Sequence, residues 1–426
     1  MKQTATRIST YSADVMGVCS ALFELGGMTV MHDASGCNST YTTHDEPRWY
    51  DMDSMVYISG ISEMEAIMGD DEKLIGDIEE AAAELRPAFI AIAGTPIPTM
   101  TGFDFEAVAE VVEHMTGVPC FGFPTTGMNT YIHGASMALA GIAERFVKEG
   151  TSGGKSVAGG SVPVAGTARE SCRVNILGLT PLDFSINGQD RSIAEWLAKE
   201  GFTVVSKWAM GSSLDEMRRA GEADVNLVVS AAGLGAAKVL HRRFGMPYAV
   251  GVPVGNELPG LMADNIKIKV REFRDRRAEG ADKGRIESFE DAEISVQSGV
   301  FLNGRQSEDG RSYEKGFAAV IGEGVASMSL AGAIELECGI PAKVLCATDC
   351  PADILRECDR LTPDEDDITA EIEGAAFVVA DPLYRPIVPQ GAKFTALPHE
   401  AFSGRIYRDD IPDLIRDPDA ILQYLF

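Results

Sequence analysis

Residues 88–123, AFIAIAGTPIPTMTGFDFEAVAEVVEHMTGVPCFGF, decide the fold class because they join two apolar runs through a helical pattern. The run at residues 88–93 predicts a buried strand, and the run at residues 118–123 predicts a second one. Between them, Asp104 is a candidate N-cap for a helix over residues 105–115. This order is typical of a βαβ unit in a parallel sheet, where ligands bind in loops beyond the carboxyl ends of strands.

The same alternation of apolar runs and helical patterns recurs in two later blocks. The second block has predicted strands at residues 174–179, 202–205, 226–229 and 248–252, and helices at residues 192–199, 214–220 and 236–244. The third block has predicted strands at residues 317–321, 343–347, 376–380 and 393–396, and helices at residues 327–337 and 351–360. The fold class is therefore predicted to be α/β, with three Rossmann-like domains, each a parallel sheet flanked by helices.

Two stretches separate these blocks. Residues 149–166 are rich in Gly, Ser and Val and have no helical period, which is typical of a linker. Residues 266–294 are strongly charged and predict a partly helical connection. At roughly 150 residues per domain, a chain of 426 residues suits three domains. We predict domains at residues 1–165, 166–295 and 296–426.

The composition excludes several classes of protein. With 64 acidic against 37 basic residues and a net charge of -27, the chain has no clustered Lys and Arg to neutralise phosphates, so we expect no nucleic-acid partner. The first residues lack the apolar core of a signal peptide, and no run reaches the ~18 apolar residues of a membrane span. We therefore expect a cytoplasmic protein without a membrane partner. Cysteines in that compartment are buried thiols, catalytic groups or metal ligands.

Two glycine motifs raise the possibility of a nucleotide. Residues 153–156, GGKS, resemble the end of a phosphate-binding loop, but Glu149 stands where the first glycine is needed. Residues 322–327, GEGVAS, follow a predicted strand and open a predicted helix, and Asp349 near the next strand is a candidate ribose ligand. The third glycine is replaced by Ser327, and a tight turn needs glycines in any α/β domain. A dinucleotide-dependent enzyme therefore stays an alternative.

Cys19 and Cys37 have sequence contexts that suit metal ligands. Cys19 begins an apolar helical pattern, and Cys37 follows a glycine in a turn after a strand-like run. A helix N-terminus favours a thiolate, and a neighbouring glycine lets inorganic sulfide approach the backbone. Two thiols are half of the four that an iron–sulfur cluster normally takes, so buried core thiols are the alternative.

Several motifs occur in the order found in one family. They are residues 17–19, 33–37, 46–47, 66–74, 187–190, 226–230, 244–248 and 398–404. Through all three blocks the chain resembles nitrogenase component 1, the family of the molybdenum–iron protein subunits, a cofactor-assembly scaffold and tetrapyrrole-reducing relatives. The resemblance implies a central inter-domain cavity and an oxidoreductase that receives electrons from an ATP-binding iron protein.

The resemblance also implies an interface cluster, with a departure from the family pattern. Each nitrogenase subunit gives three cysteines to that cluster, and the place of the third is taken here by Pro96. Two chains that each supply Cys19 and Cys37 would provide the four thiolates of one [4Fe–4S] cluster bridging the subunits. The implied partner is a second component 1 subunit, identical or homologous, in a dimer or tetramer.

The cavity implied by the resemblance contains Thr95, Ser230 and His399. Ser230 takes the place of the cysteine that holds the iron–molybdenum cofactor, and serine is a poor ligand for such a cluster. Dinitrogen reduction is therefore not expected, and a second metallocluster or a tetrapyrrole in the cavity is left open. His133 and His399 are candidate proton donors or cavity residues, with a structural hydrogen-bonded histidine as the alternative.

The late cysteines Cys338, Cys346, Cys350 and Cys358 leave a second metal site open. Cys346 and Cys350 flank the end of one strand, whereas Cys338 and Cys358 fall in predicted helices. The sequence therefore predicts a nitrogenase-like reductase subunit. A non-enzymatic scaffold for a metallocluster or tetrapyrrole is the main alternative.

Overall fold

The computed structural model describes residues 12–34, 46–149, 171–278, 316–352 and 354–424. Within these ranges the strands form three separate parallel sheets, each flanked by helices. The predicted α/β class with Rossmann-like domains is confirmed. We refer to the first, middle and third domains by these sheets. None of the described helices is long and apolar enough to span a bilayer.

The first domain has the strand order β2-β1-β3-β4. Its strands are β1 (Met28–His32), β2 (Met55–Ile58), β3 (Ile90–Gly94) and β4 (Cys120–Phe123). Its helices are α1 (Asp14–Leu22), α2 (Glu63–Met68), α3 (Glu72–Leu85), α4 (Pro96–Thr101), α5 (Phe105–Thr116) and α6 (Tyr131–Phe146). Every residue of β3 is buried, as expected for a central strand of a sheet covered on both faces.

The middle domain has the order β6-β5-β7-β8. Its strands are β5 (Cys172–Leu177), β6 (Phe202–Lys207), β7 (Val225–Val228) and β8 (Tyr248–Val250). Its helices are α7 (Pro181–Phe184), α8 (Gln189–Lys199), α9 (Leu214–Arg218), α10 (Leu234–Phe244) and α11 (Leu258–Ala278).

The third domain has the order β11-β10-β9-β12-β13. Its strands are β9 (Ala318–Gly322), β10 (Ala342–Cys346), β11 (Arg360–Leu361), β12 (Phe377–Ala380) and β13 (Lys393–Ala396). Its helices are α12 (Gly324–Ala333), which continues into a π-helical turn (Ile334–Cys338), α13 (Glu365–Glu371), α14 (Glu400–Ser403) and α15 (Asp419–Leu422).

The helix predicted at residues 351–360 is wrong. In its described part this segment forms turns that lead into β11. The reason lies in two side chains: Asp359 accepts a hydrogen bond from the backbone N–H of Val344 at 2.8 Å, and Arg356 donates to the carbonyl of Ala342 at 2.8 Å. These bonds tie the segment to β10, which a continuous helix would not allow. The GGKS motif and Cys37 lie outside the described residues.

Two glycines let α1 and α6 pack closely at the centre of the molecule. A Cβ on Gly17 would overlap the carbonyl oxygen of Tyr131, and a Cβ on Gly134 would overlap that of Asp14. This contact brings the start of α6 against a buried core that runs without interruption through all three domains. The carboxyl ends of the three sheets meet around that point, which is where a ligand site is expected in α/β proteins.

Candidate functional site

The start of α6 contacts both other domains. Thr130, the residue before α6, donates from its backbone N–H and from its hydroxyl to Asp349 Oδ2 in the third domain, each at 2.7 Å. The next residue, Tyr131, donates from its hydroxyl to Asp183 Oδ1 in the middle domain. Two consecutive residues of the first domain therefore hold carboxylates of the other two.

Asp183 is the centre of a buried cluster, the Asp183 cluster, formed with Tyr131, Thr180 and His399. Its side chain is 1% exposed, and Thr180 donates its hydroxyl proton to Asp183 Oδ2 at 2.7 Å. Burial and the neighbouring Asp183 raise the pKa of Tyr131 well above its usual value, so the phenol keeps its proton. An uncharged donor thus faces a buried carboxylate.

His399 presents one ring nitrogen to this cluster. Its Nδ1 accepts a hydrogen bond from the backbone N–H of Ala401 at 3.2 Å, so the proton of a neutral ring lies on Nε2. Nε2 is buried and lies 3.6 Å from Asp183 Oδ1, which is too far for a hydrogen bond. The backbone N–H of His399 donates to Asp381 Oδ2 at 2.8 Å and fixes the residue in place. His399 therefore has a buried donor that a small movement or a ligand would satisfy.

Glu323 is a second buried carboxyl group at the junction. It caps α12 by accepting from the N–H groups of Val325 at 3.0 Å and Ala326 at 2.8 Å, and it accepts from Ala231 of the middle domain at 2.9 Å. Burial, with the charge of Asp183, raises its pKa to about 7. Glu323 can therefore gain or lose a proton near neutral pH.

The position of Glu323 also bears on the dinucleotide alternative. The GEGVAS motif does follow β9 and open α12, as predicted. However, the carboxylate of Glu323 occupies the N–H groups at the helix start that would otherwise bind a phosphate. Asp349, the candidate ribose ligand, is already hydrogen-bonded to Thr130. These contacts do not favour a dinucleotide site.

A cavity of about 310 Å³ opens beside this junction. It lies between the start of α6, the start of α10 and the loop after β10, so each domain contributes to its wall. His133 and Lys238 line it and are exposed, and Asp349 and Cys350 line the opposite part. A ligand there would meet two basic side chains, one carboxylate and one thiol.

The structure brings together only part of the predicted site. His133 lines the cavity, and His399 lies in the buried Asp183 cluster. Ser230 is fully buried and accepts from the N–H of Ala232 at 3.2 Å, although Ala231 beside it reaches the cavity. Thr95 is buried at the end of β3, away from the residues that line this cavity.

Four residues of the junction were not predicted from the sequence: Asp183, Tyr131, Glu323 and Lys238. Position after a strand was the one available signal, since Thr180 and Asp183 begin the helix that follows β5. Thr180 accepts from the N–H of Asp183 at 3.1 Å, an ordinary N-cap contact that gives no hint of the partners from other domains. These residues become a site only through packing between domains.

Cys19 is the one predicted cluster ligand that lies in the described part of the chain. It is 0% exposed and packs in the apolar core with α1 and α6. Burial and the neighbouring Glu46 raise the pKa of its thiol. A cluster shared between two chains needs thiolates that reach the chain surface, and Cys19 does not fit that requirement. Among the described residues, no three His, Cys, Asp or Glu side chains are grouped as a metal site.

Three parallel-sheet domains around a shared junction define a class of three-domain α/β proteins with a central ligand site. Residues 14–258, more than half of the chain, match the family model of the nitrogenase component 1 type oxidoreductases. The chain belongs to this family, as its motifs predicted.

Two groups of relatives are similar in sequence. The nitrogenase iron–molybdenum cofactor biosynthesis protein NifE of Clostridium pasteurianum is 26% identical over 196 residues, 45% of this chain and 38% of that protein. A light-independent protochlorophyllide reductase component of Prosthecochloris aestuarii is 29% identical over 178 residues, 41% of this chain and 33% of that protein. The matched part of the chain thus spans well under half the length of these relatives.

Solved structures extend the fold likeness to the whole chain. The structure of nitrogenase Cp1 at pH 6.5 superposes with a TM-score of 0.60 and 16% identity, covering 100% of this chain and 94% of that one. This agreement concerns the fold alone.

Proposed function

We propose that the chain is a nitrogenase-like component 1 subunit that reduces a substrate or cofactor bound at the junction of its three domains. The observation that carries this proposal is the Asp183 cluster, in which Tyr131 donates to Asp183 and His399 faces it. Each electron added to a bound molecule requires a proton close by, and a buried chain of such groups supplies protons without admitting bulk water. A protein that only stores a cargo has no need of it.

The proton path runs beside the cavity. Tyr131 is followed in α6 by Ile132 and His133, which line the cavity. Glu323, whose pKa is about 7, accepts from Ala231, which also lines it. We propose that these groups hold protons on the buried side of the ligand, while exposed His133 exchanges protons with solvent.

The electron donor in this proposal is an ATP-dependent iron protein, and the partner is a second component 1 subunit. A [4Fe–4S] cluster held by Cys19 and Cys37 is the sequence's prediction for electron entry, and no step proposed here depends on it. The ligand of the cavity is a metallocluster or a tetrapyrrole. Ser230, buried and bonded within its own turn, supports neither a cluster ligand nor dinitrogen reduction.

The test is reduction by the anaerobically purified chain with its second subunit, a nitrogenase-reductase-like iron protein and MgATP. We expect ATP-dependent consumption of electrons in the presence of ligand, and a loss of that rate in Tyr131→Phe and Asp183→Asn. Tyr248→Phe removes the hydroxyl of another buried tyrosine and serves as the control. Unchanged rates in both cluster variants would contradict the role of the Asp183 cluster.

A scaffold function is the second candidate, and the similarity to NifE favours it. A scaffold would bind a metallocluster or tetrapyrrole and release it chemically unchanged. Mass spectrometry or absorption of the ligand before and after incubation with the iron protein separates the two functions. An unchanged ligand that transfers to an acceptor protein supports the scaffold.

A further inference from the structure

Two thiols converge on the first residue of α12. A Cβ placed on Gly324 would lie 2.5 Å from Cys350 Sγ and 3.4 Å from Cys346 Sγ. Because both distances start at one point, the two sulfur atoms are no further apart than the sum of these distances. Both side chains are thiols in this structure. Gly324 therefore provides the space in which two cysteines from the end of β10 meet.

The two thiols differ in access. Cys350 is 8% exposed and lines the cavity between the domains, whereas Cys346 is 0% exposed. Cys346 Sγ donates toward the carbonyl of Thr348 at 3.4 Å, within the short loop that links the two cysteines. A small molecule in the cavity can reach Cys350, and only Cys350 can then reach Cys346.

The surroundings favour sulfur chemistry over metal binding. The sulfur atoms lie at the N-terminus of α12, a helix of ten residues whose dipole stabilises a thiolate. Within the described ranges, no third His, Cys, Asp or Glu joins them as a metal ligand. Two thiols of unequal access without a third ligand are the arrangement of an attacking and a resolving cysteine.

We propose that Cys346 and Cys350 are a thiol–disulfide redox pair that reacts with low-molecular-weight disulfides entering the cavity. The Cys350 thiolate attacks one sulfur of the disulfide, forms a mixed disulfide and releases the first small thiol. The Cys346 thiolate then attacks Cys350 Sγ, closes the internal disulfide and releases the second small thiol. The pair loses two electrons and two protons, and the small disulfide gains both.

Closure of this disulfide acts on the junction. Asp349 lies between Thr348 and Cys350 in the linking loop and accepts two hydrogen bonds from Thr130 at the start of α6. Drawing Cys350 toward Cys346 moves Asp349 and thus the residue before Tyr131. The redox state of the pair is therefore coupled to the position of the Asp183 cluster. The thiol chemistry itself does not depend on the proposed reductase function.

Peptide mapping tests the pair directly. Residues 344–356 form one tryptic peptide, between Lys343 and the bond after Arg356, in which Cys346 and Cys350 are the sole cysteines. The reduced full chain is incubated with glutathione disulfide, alkylated without unfolding, and then digested. We expect this peptide to lack alkyl groups, to be lighter by two hydrogen atoms, and to accept two alkyl groups after reduction.

Single variants separate the two roles. In Cys346→Ser, the reaction stops at the mixed disulfide, and the peptide carries one glutathione on Cys350. In Cys350→Ser, Cys346 remains reduced because the protein covers it. Cys358→Ser changes a cysteine outside the peptide and leaves the internal disulfide as in the parent chain.

Two results would overturn the proposal, and one of them needs no variant. The first is a peptide that remains a dithiol in the parent chain after half-buried Cys172 has reacted. The second is a Cys346 that takes up glutathione in Cys350→Ser as readily as Cys350 does in Cys346→Ser. A disulfide that links Cys346 or Cys350 to a different cysteine contradicts the pairing as well.

Discussion

The hydroxyl of Tyr131 donates a hydrogen bond to Asp183 across the contact between the first and middle domains. Tyr131 is the first residue of α6, and Asp183 lies in α7, so the bond joins helices that follow strands of two different sheets. His399 of the third domain faces the same carboxylate. One buried acid therefore connects all three domains at the point where a ligand is expected.

We predict that Tyr131→Phe lowers the free energy of unfolding by about 1–3 kcal/mol, because it removes a donor from a buried carboxylate. Urea unfolding followed by circular dichroism measures this loss. A double-mutant cycle with Asp183→Asn should give a coupling of roughly 1 kcal/mol or more, since the two side chains touch. Additive effects of the two substitutions would show that the bond does not contribute to stability.

The fold was predictable where burial alone decides the structure. The runs at β3 and β9 are buried at every residue, and their sequences are correspondingly apolar. β2 was missed because it is a short edge strand with one fully buried residue, Val56, so its sequence carries little signal. The false helix at residues 351–360 shows the opposite case, in which the Asp359 and Arg356 side chains override a helical pattern.

The site was less predictable than the fold. His133 and His399 were found through the family resemblance, which places motifs along the chain. Asp183 and Glu323 gain their properties from partners about 50 to 140 residues away in sequence, such as Tyr131 and Asp183 itself. A single sequence contains no local pattern for such contacts. Burial raises the pKa of Glu323 only because the middle domain covers it.

Glu323 should give the stability of the chain a specific pH dependence. Its pKa rises from 4.5 to about 7 on folding, so between these values the folded state holds a proton that the unfolded state has lost. The contribution of Glu323 to stability is therefore fully present below pH 4.5 and is lost as the pH rises toward 7. The full loss is on the order of a few kcal/mol.

Glu323→Gln removes this ionisation and is the variant to compare with the parent chain. We expect the parent to lose stability relative to the variant between about pH 5 and pH 7, and the difference to stay constant above that range. Urea unfolding at a series of pH values gives the difference directly and cancels the effects of the other acidic residues. A difference that is independent of pH would contradict the raised pKa.

The contact between α1 and α6 predicts a large effect at one glycine. In Gly17→Ala the new Cβ meets the backbone carbonyl of Tyr131, which cannot rotate away, so the two helices must separate. We expect a loss of about 2–4 kcal/mol in the free energy of unfolding, the size of a severe overpacking defect. Gly76→Ala in α3 is the matched control, because nothing lies within 4 Å of its new Cβ. That control should stabilise by about 0.5–1 kcal/mol, and equal losses at both positions would contradict the close contact.

Cys19 provides a test of electron entry. Because its thiol is fully buried in the core, we expect Cys19→Ala to lower the free energy of unfolding by about 1 kcal/mol and to leave the iron content of anaerobically purified protein unchanged. Cys120→Ala, at another buried thiol, controls for the loss of a core sulfur. If iron disappears in Cys19→Ala but not in Cys120→Ala, Cys19 is a cluster ligand despite its burial.

Gly324→Ala tests the space that the two late thiols share. The added Cβ would lie 2.5 Å from Cys350 Sγ, so the sulfur must leave its position beside the helix start. Away from α12 and farther from Cys346, Cys350 loses both the stabilising dipole and its resolving partner. We therefore expect glutathione disulfide to leave a mixed disulfide on Cys350 where the parent chain forms the internal disulfide. Gly260→Ala in α11 is the control, because its new Cβ meets nothing within 4 Å. Peptide mapping of residues 344–356 in both variants gives the result, and an internal disulfide that forms equally in Gly324→Ala would show that Gly324 does not position the pair.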